Sequence, residues 1–394
     1  MMSFDQKFAS DVLIAGIGMT PVGEHWDISL RELALQSISE ARASVPTLKP
    51  EALYIANILA PALSAQTHLG TLIADFAGLR GIEAVSIEAS GASGGAALRQ
   101  AFLALKSGEV RSALVTGVEK VTDKVGSFVK AALATGADAD YEGIQGITPT
   151  AQASLLMRRY LYEHNAPDDA LAGFSINSHS NAVTNPNAMF RRAIKIEQYQ
   201  KAPMISDPMN MFDAAPMGDG AASILLVRRD ALPENFQMAR VRIVASTLCT
   251  AALALHDQPD PLKLTASEES IKRALDLAGI ALNDIDLFEL HDQFSILSAL
   301  SLEAAGFVEH GLGWELAKDG DIHLGGKIPI TTFGGSKARG DTGGATGVFQ
   351  AVEVIRQVQG LAEKNQVNGA RIGMSQCLGG IGSTAATHIF AREE

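Results

Sequence analysis

The stretch Glu88-Ala-Ser-Gly-Ala-Ser-Gly-Gly95 (EASGASGG) joins a short strand pattern over 84–89 to a helix pattern with a small-residue face over 94–105. The start of a helix favours an anion, because the helix dipole and the free backbone amides both stabilise negative charge there. A nucleophilic thiolate would be activated at such a place. The stretch therefore predicts a sharp strand–turn–helix unit, although it holds no cysteine.

Outward from this unit, strand and helix patterns alternate in two series. Further strand patterns cover 11–18, 53–63, 112–118, 221–228, 241–246, 284–290, 370–376 and 384–391. Helical spacing covers 28–45 and 268–279, and Ser267 is a plausible N-cap of the second helix. This alternation predicts an α/β layer structure with two similar halves, residues 1–235 and 236–394. Residues from about 120 to 210 break the alternation and are interpreted as a long inserted loop region on the first half.

Length and composition limit the class of protein. The chain has 394 residues, 47% of them hydrophobic, and a net charge of −12. This length allows a large core and more than one domain, and an acidic balance without a basic block argues against a nucleic-acid partner. The two cysteines, Cys249 and Cys377, lack zinc spacing and are too few for a disulfide framework, so we expect no metal site and a cytoplasmic location. We recognise no signal peptide and no apolar run of about 18 residues, so no membrane span is expected.

Polar and glycine-rich residues gather at four points where a strand pattern ends. They are EASGASGG at 88–95, ELHDQF at 289–294, GGSKARGDTGGATG at 334–347 and MSQCLGGIG at 374–382. Ligand sites of α/β sheets lie at such points. Each stretch alone is weak evidence, but together they predict one active site.

With these four stretches, the chain resembles the thiolase superfamily over nearly its whole length, and most closely the archaeal-type and sterol-carrier-type thiolases. The resemblance extends to LVTGVEKVTD at 114–123, NSHSNAVTNPNAMFR at 177–191, SDPMNMFDAAPMGDGAA at 206–222 and VIRQVQG at 354–360. It implies two thiolase halves packed as a five-layer αβαβα core. It also implies coenzyme A thioesters as substrates, no permanently bound cofactor, and a β-ketoacyl-CoA reaction that runs through an acyl-cysteine.

Two of the family's four catalytic residues are present in this chain, and two are replaced. The family elbow resembles E-A-A-C-A-S-G-G and places its nucleophilic cysteine at Gly91, and the family's G-H-P-x-G-A-T-G places the activating histidine at Asp341. The H-D-x-F histidine matches His291, and the acid/base cysteine of C-x-G matches Cys377. The sterol-carrier type often has a cysteine at the third place of H-D-x-F, which is Gln293 here.

This pattern predicts a site that binds a thioester without forming an acyl-enzyme. An imidazole that has lost its thiol partner can be replaced by an aspartate, and we expect Gly91 to keep the turn without strain. The amides of Gly91, Gly379 and Gly380 are the predicted oxyanion hole. Asp341 and His291 are candidate bases, and Cys377 is the candidate acid.

Other residues have weaker assignments. Ser90 and Ser93 are expected to form hydrogen bonds of the turn rather than to act as nucleophiles. The resemblance places His179 and Asn185 near the substrate cleft, so these two and Ser90 are predicted substrate contacts. The pair at 191–192 either faces a phosphate of coenzyme A or is a solvated pair of arginines.

Three functions stay open at this level. The first is carbon–carbon bond making or breaking of aldol or retro-aldol type, for which the superfamily has nucleophile-free members that use tyrosines and an OB-fold zinc-ribbon partner. The second is a non-catalytic subunit that binds acyl-CoA or supports a partner enzyme, and the third is a conventional acetyl-CoA acyltransferase. The family also implies a homodimer or a dimer of dimers, paired through the strand before the elbow.

Overall fold

The computed structural model describes residues 11–393. The first half begins with strands and helices in alternation. They are β1 (Val12–Met19), α1 (Leu30–Ala43), β2 (Ala52–Ala56), α2 (Ala60–Leu63), α3 (Leu69–Phe76), β3 (Glu83–Ile87), α4 (Ser93–Ser107) and β4 (Ser112–Glu119). Local signals set these bounds: the Ser29 side chain and the Glu32 side chain form a capping box at the start of α1.

The segment inserted after β4 is mostly helical rather than a loop. It comprises α5 (Gly126–Ala134), α6 (Pro149–Glu163), α7 (Ala172–Ala182), α8 (Ile196–Gln200), β5 (Met204–Ser206) and β6 (Met209–Asn210). The chain then returns to the sheet as β7 (Gly220–Arg228). The bounds of the insertion stay a prediction, but its expected loop structure is wrong, because most of the segment is helical.

The second half repeats the plan of the first. Its elements are β8 (Val241–Thr250), α9 (Thr265–Ala278), β9 (Leu287–Glu289), α10 (Ser295–Ala305), α11 (Gly313–Lys318), a π-helical turn (Gly335–Arg339), α12 (Thr346–Gln359), β10 (Ile372–Gly379) and β11 (Thr384–Arg392). The predicted N-cap at Ser267 is wrong, because α9 starts earlier and the Ser267 hydroxyl donates to Gln376 Oε1 at 2.6 Å. The predicted division at 235 falls in the connection between β7 and β8 and stays a prediction.

The strands of both halves form one continuous nine-stranded sheet among the described residues. Its order is β3-β2-β4-β7-β1-β8-β11-β10-β9. Ile330 extends it beyond β9 by a parallel bridge to Phe288, so the second half has the strand order of the first. The halves meet where β1 and β8 pair antiparallel at Leu13 and Arg242.

Helices cover and separate the two half-sheets in five layers. Helices α1 and α3 pack on the outside of the first half, α9 and α10 on the outside of the second, and α4 and α12 lie between the two half-sheets. In β1, Val12 and Ile14 face the middle layer whereas Leu13 and Ala15 face the outer one, as the two-residue period of a strand requires. The central helices cross closely at Gly94, where a Cβ would lie 2.6 Å from Val348 N. Among residues 11–393, no helix is long and apolar enough to cross a membrane.

Candidate active site

The turn between β3 and α4 is closed by its two serines. The Ser93 hydroxyl donates to Ser90 O at 2.6 Å and accepts from Ala89 N at 2.8 Å. Ser90 has a φ of 52°, which is a strained conformation for a residue with a side chain, and its Oγ accepts from Gly380 N at 3.3 Å. The expected hydrogen-bonding role of both serines therefore agrees with the contacts, and the left-handed residue is Ser90 rather than Gly91.

Gly91 faces the imidazole of His291. A Cβ at position 91 would lie 3.3 Å from His291 Cε1 and 3.5 Å from His291 Nε2. The same Cβ would lie 2.4 Å from Leu378 O, which is closer than real atoms approach. A side chain at 91 would thus point at His291, but a backbone carbonyl occupies its place. Gly91 was expected to keep the turn free of strain. The reason is that Leu378 O approaches position 91 closely, and not that the φ of Gly91 is positive.

His291 is a buried imidazole. Burial lowers the pKa of His291, and the charges of Asp341 and Asp292 and a hydrogen bond that the ring donates to the Gln293 side chain act in the opposite direction. Its Nδ1 has no hydrogen-bond partner among residues 11–393. A neutral ring can take up a proton, and the two carboxylates favour the imidazolium that would form.

Asp341 is held firmly beside the same space. Its Oδ1 accepts from Gly343 N at 3.0 Å and from Thr346 Oγ1 at 2.8 Å, and its Oδ2 accepts from Gln293 Nε2 at 2.9 Å. These three donors occupy most of the lone pairs of the carboxylate and leave little capacity for an incoming proton. Of the two candidate bases, the surroundings therefore favour His291.

The three amides of the predicted oxyanion hole are not equivalent. Gly91 and Gly380 line a small cavity, whereas Gly379 pairs with Thr384 in the ladder between β10 and β11. The Gly380 amide donates to the Ser90 hydroxyl. The oxyanion role stays a prediction for Gly91 and Gly380, and the geometry argues against it for Gly379.

Cys377 lies outside this small cavity. Its thiol donates to Ala92 O at 3.6 Å and is enclosed by α4 and α12, where a Cβ at either Gly95 or Gly347 would lie 2.6 Å from Sγ. Burial raises the pKa of Cys377 to about 12. The predicted acid is thus a buried thiol with a raised pKa that does not line the small cavity.

Two cavities meet at the site. The small one, of about 40 Å³, is lined by Gly91, His291 and Asp341 among others. The large one, of about 870 Å³, lies under the inserted segment. Leu133, Pro149 and Gln293 line both cavities, so the two cavities are adjacent at these residues.

The predicted substrate contacts divide between these cavities and the core. Ser90 lines the small cavity, and His179 lines the large one, with its Nδ1 3.2 Å from Arg192 O. Burial lowers the pKa of His179. Asn185 lines neither cavity, since its amide donates to Phe333 O at 2.8 Å and its Oδ1 accepts from Asn187 N. The assignment of Asn185 as a substrate contact is therefore corrected to a structural one.

One buried carboxylate near the site was missed in the sequence. Glu119, at the end of β4, accepts from Asn57 Nδ2 at 2.7 Å, from the amides of Ile58 and Leu59 at 3.0 Å, and from Gly344 N at 3.1 Å. It joins the loop after β2 to the turn that holds Asp341. A glutamate that ends an apolar strand was the available signal.

No group of three histidine, cysteine or acidic residues within residues 11–393 is arranged to hold a metal ion.

Known proteins with similar sequences and folds place this geometry in context. A family model described as the thiolase N-terminal domain matches residues 12–230, and one described as thiolase C-terminal domain-like matches residues 249–392. Acetyl-CoA acetyltransferase of Methanothermobacter thermautotrophicus is 39% identical over 386 residues, which are 97% of this chain and 100% of that protein. The benzoylsuccinyl-CoA thiolase subunit BbsB of Thauera aromatica is 27% identical over 95% of this chain and 96% of its own. The solved structure of the Ltp2-ChsH2(DUF35) aldolase has the same fold, with a TM-score of 0.83 and 20% identity over 98% of both chains.

Proposed function

The chain belongs to the thiolase family, and from this premise we propose that it makes or breaks a carbon–carbon bond of an acyl-CoA thioester by aldol or retro-aldol chemistry. One observation carries the proposal. The position that faces His291 is Gly91, and Leu378 O fills the space that a nucleophilic side chain would need. The site keeps a buried imidazole and a carboxylate but has no thiol where an acyl-enzyme would form.

His291 is the proton carrier in this reaction. In the cleavage direction, its neutral ring removes the proton of a β-hydroxyl group, the bond between the α- and β-carbons breaks, and the β-carbon becomes a carbonyl. The bonding electrons pass to the thioester as an enolate, whose oxygen the amide of Gly91 would hold, joined by the amide of Gly380 once it leaves the Ser90 hydroxyl. The imidazolium then returns the proton to the α-carbon, so one base accounts for both proton transfers.

Asp341 supports His291 rather than reacting itself. Its charge raises the pKa of His291 and so stabilises the transient imidazolium. Gln293 donates to Asp341 and lines both cavities, so it fixes the carboxylate where the acyl chain would enter. Cys377 has no part in this scheme.

The large cavity is the proposed site for the coenzyme A part of the substrate. Lys124, Lys130 and Arg192 line it, and all three side chains are exposed. Exposed cations at the mouth suit the phosphates of coenzyme A. The apolar lining suits the uncharged arm that leads from these phosphates to the thioester.

A second candidate is acyl transfer, which the name of the Methanothermobacter relative favours. Its nucleophile would have to be Ser90, which has a strained φ and lines the small cavity. Intact-protein mass spectrometry after incubation with acetyl-CoA distinguishes the two candidates. An acetyl adduct on Ser90 supports acyl transfer, and an unmodified mass supports the aldol reaction.

We also propose that the chain forms a homodimer and that it binds a second protein. Strand β3 is an edge of the sheet, and Val85 at its middle is 41% exposed. An exposed strand edge is a template for pairing with another copy. The solved aldolase of the same fold carries a second component, ChsH2 (DUF35), in its name, and we extend to this chain an OB-fold zinc-ribbon partner of that kind.

Product analysis tests the proposed reaction. The protein, with and without such a partner, is incubated with β-hydroxyacyl-CoAs, with acetyl-CoA, and with acetoacetyl-CoA plus CoA. The account expects cleavage of a β-hydroxyacyl-CoA to an acyl-CoA and a carbonyl compound, and loss of that cleavage in His291→Asn. Thiolysis of acetoacetyl-CoA by the wild type would instead identify a conventional thiolase, and binding without any turnover would identify a non-catalytic subunit.

A further inference from the structure

The inner wall of the large cavity carries a buried lysine. Lys337 lies in the π-helical turn that leads to Asp341, is only 2% exposed, and lines the cavity. Its Nζ donates to Asp213 O at 2.7 Å. Within residues 11–393, Nζ forms no other hydrogen bond, and no carboxylate forms an ion pair with it.

The two nearest carboxylates are committed to other donors. Asp292 accepts from Ser336 N at 2.6 Å and from the backbone amide of Lys337 at 3.2 Å. Asp213 accepts from Tyr199 Oη at 2.7 Å and from Asn210 N at 3.0 Å. Neither carboxylate therefore neutralises the ammonium group directly, and two of its three N–H donors remain for a ligand.

Buried lysines are rare unless they are paired, because an uncompensated charge is costly to bury. A lysine that only fixed the backbone at Asp213 would not need to line a cavity. The cavity lining strengthens this argument. Among the described residues that form it, Glu24 is the one acidic side chain, against Lys124, Lys130, Arg192 and Lys337.

Lys337 differs from the other three cations in its burial. Lys124, Lys130 and Arg192 are exposed and suit the phosphates at the mouth. Lys337 is buried, and Gln293, which lines the same cavity, also lines the small cavity. Its charge is thus placed for the inner part of the substrate, and Phe212 and Phe294 supply apolar surface for methylene groups in the same cavity.

We propose that the acyl group of the substrate carries its own carboxylate, and that Lys337 binds this carboxylate within the large cavity. The proposal rests on the proposed function and narrows its substrate class to acyl-CoA thioesters of dicarboxylic acids. Lys337 is a specificity-determining residue here and takes no part in proton transfer.

Binding of matched pairs of thioesters tests this proposal. Isothermal titration calorimetry compares adipyl-CoA with hexanoyl-CoA and glutaryl-CoA with pentanoyl-CoA, since each pair has the same number of acyl carbons. A charge-assisted hydrogen bond in a buried site predicts that the dicarboxylic member binds about tenfold tighter or more. In Lys337→Met the two members of each pair should bind equally, whereas Lys124→Met at the mouth should weaken both and leave their ratio unchanged.

A titration of the wild-type protein covers the case in which Lys337→Met does not fold. Burial lowers the pKa of Lys337 to about 8, against the charges of Asp292 and Asp213. His179, the other titratable neighbour, has a pKa that burial lowers. The preference for the dicarboxylic member should therefore fall between about pH 7 and about pH 9, as the lysine loses its proton.

Two results would overturn the inference. Equal affinities within each pair for the wild type would show that Lys337 selects no carboxylate while leaving the acyl-CoA site intact. No binding of any thioester, or of CoA itself, would contradict the proposed function and the inference together.

Discussion

At residue 91, the backbone opposite occupies the space that a side chain would need. A Cβ there would lie 2.4 Å from Leu378 O, and Gly91 does not have a positive φ, so the cost of a side chain is a steric one. Gly91→Ala should therefore lower the free energy of unfolding by about 1–3 kcal/mol, measured by urea denaturation. Gly126→Ala is the control, because a Cβ there has no atom within 4 Å, and it should leave stability unchanged or slightly higher. Equal effects of the two substitutions would contradict the close approach.

The charge of Asp341 should affect how the proton exchange catalysed by His291 depends on pH. Burial lowers the pKa of His291 below its ordinary value of 6.5, and Asp341 acts against this. A base works only when unprotonated, so exchange of substrate α-protons with solvent deuterium should persist below about pH 6.5 and fail at still lower pH. In Asp341→Asn the acid limb should move to still lower pH and the exchange rate near pH 7 should fall by up to about tenfold. A shift of the acid limb to higher pH would exclude this role for Asp341.

Motif positions predicted which residues surround the site better than they predicted where side chains point. Gly91, His291 and Asp341 line one cavity although they come from distant parts of the chain. Cys377 was placed at the site by its motif, but in β10 the next residue, Leu378, lines the cavity instead. Sequence spacing locates a residue along a strand, but it does not show which atoms of its neighbours reach the site, as the backbone carbonyl of Leu378 does here.

At the scale of elements, Glu119 couples the two halves of the protein. It ends β4 in the first half and accepts from Gly344 N, next to the start of α12 in the second. It also accepts the two amides that open α2, of which Ile58 lines the small cavity. The shape of the small cavity therefore depends on this carboxylate, although Glu119 does not line it.

Glu119→Gln should change how stability depends on pH. Burial raises the pKa of Glu119 from 4.5 to about 7, against the hydrogen bonds that it accepts. A raised pKa means that the stabilisation is complete below the unfolded-state value and is lost as the pH rises through about 7. Since glutamine does not titrate, the unfolding free energy of the wild type relative to the variant should fall by about 3 kcal/mol between about pH 4.5 and about pH 8. Parallel stability curves over that range would show that Glu119 has an ordinary pKa.

The alternation of strands and helices was readable from the sequence, but the inserted helices were not. Helix α7 shows the reason, because its buried side chains include Asn177, Ser178, His179 and Asn181. The Asn177 amide donates to Ile330 O, and the Ser178 hydroxyl donates to Thr331 Oγ1. A helix that buries satisfied polar groups lacks the apolar period by which a sequence predicts it.

At the scale of the whole molecule, strand β3 is the expected dimer contact. Val85→Lys would place two like charges close together across a two-fold axis and should convert a dimer to a monomer, as measured by light scattering at micromolar concentration. Val125→Lys is the matched control, because that side chain is 73% exposed and precedes α5 in the inserted segment rather than belonging to a strand. A wild-type monomer, or a Val85→Lys dimer as stable as the control, would contradict pairing through this edge.

In the proposed reaction, a thiolase fold generates a thioester enolate with His291 and without an acyl-enzyme. Its most direct test is deuterium exchange at the α-carbon of acyl-CoA thioesters in D2O, followed by mass spectrometry of the thioester and of the intact protein in the same sample. The account predicts exchange by the wild type and by His256→Asn, which alters an exposed histidine, no exchange by His291→Asn, and an unmodified protein mass throughout. Exchange that survives in His291→Asn, or an acyl group found on the protein, would contradict it.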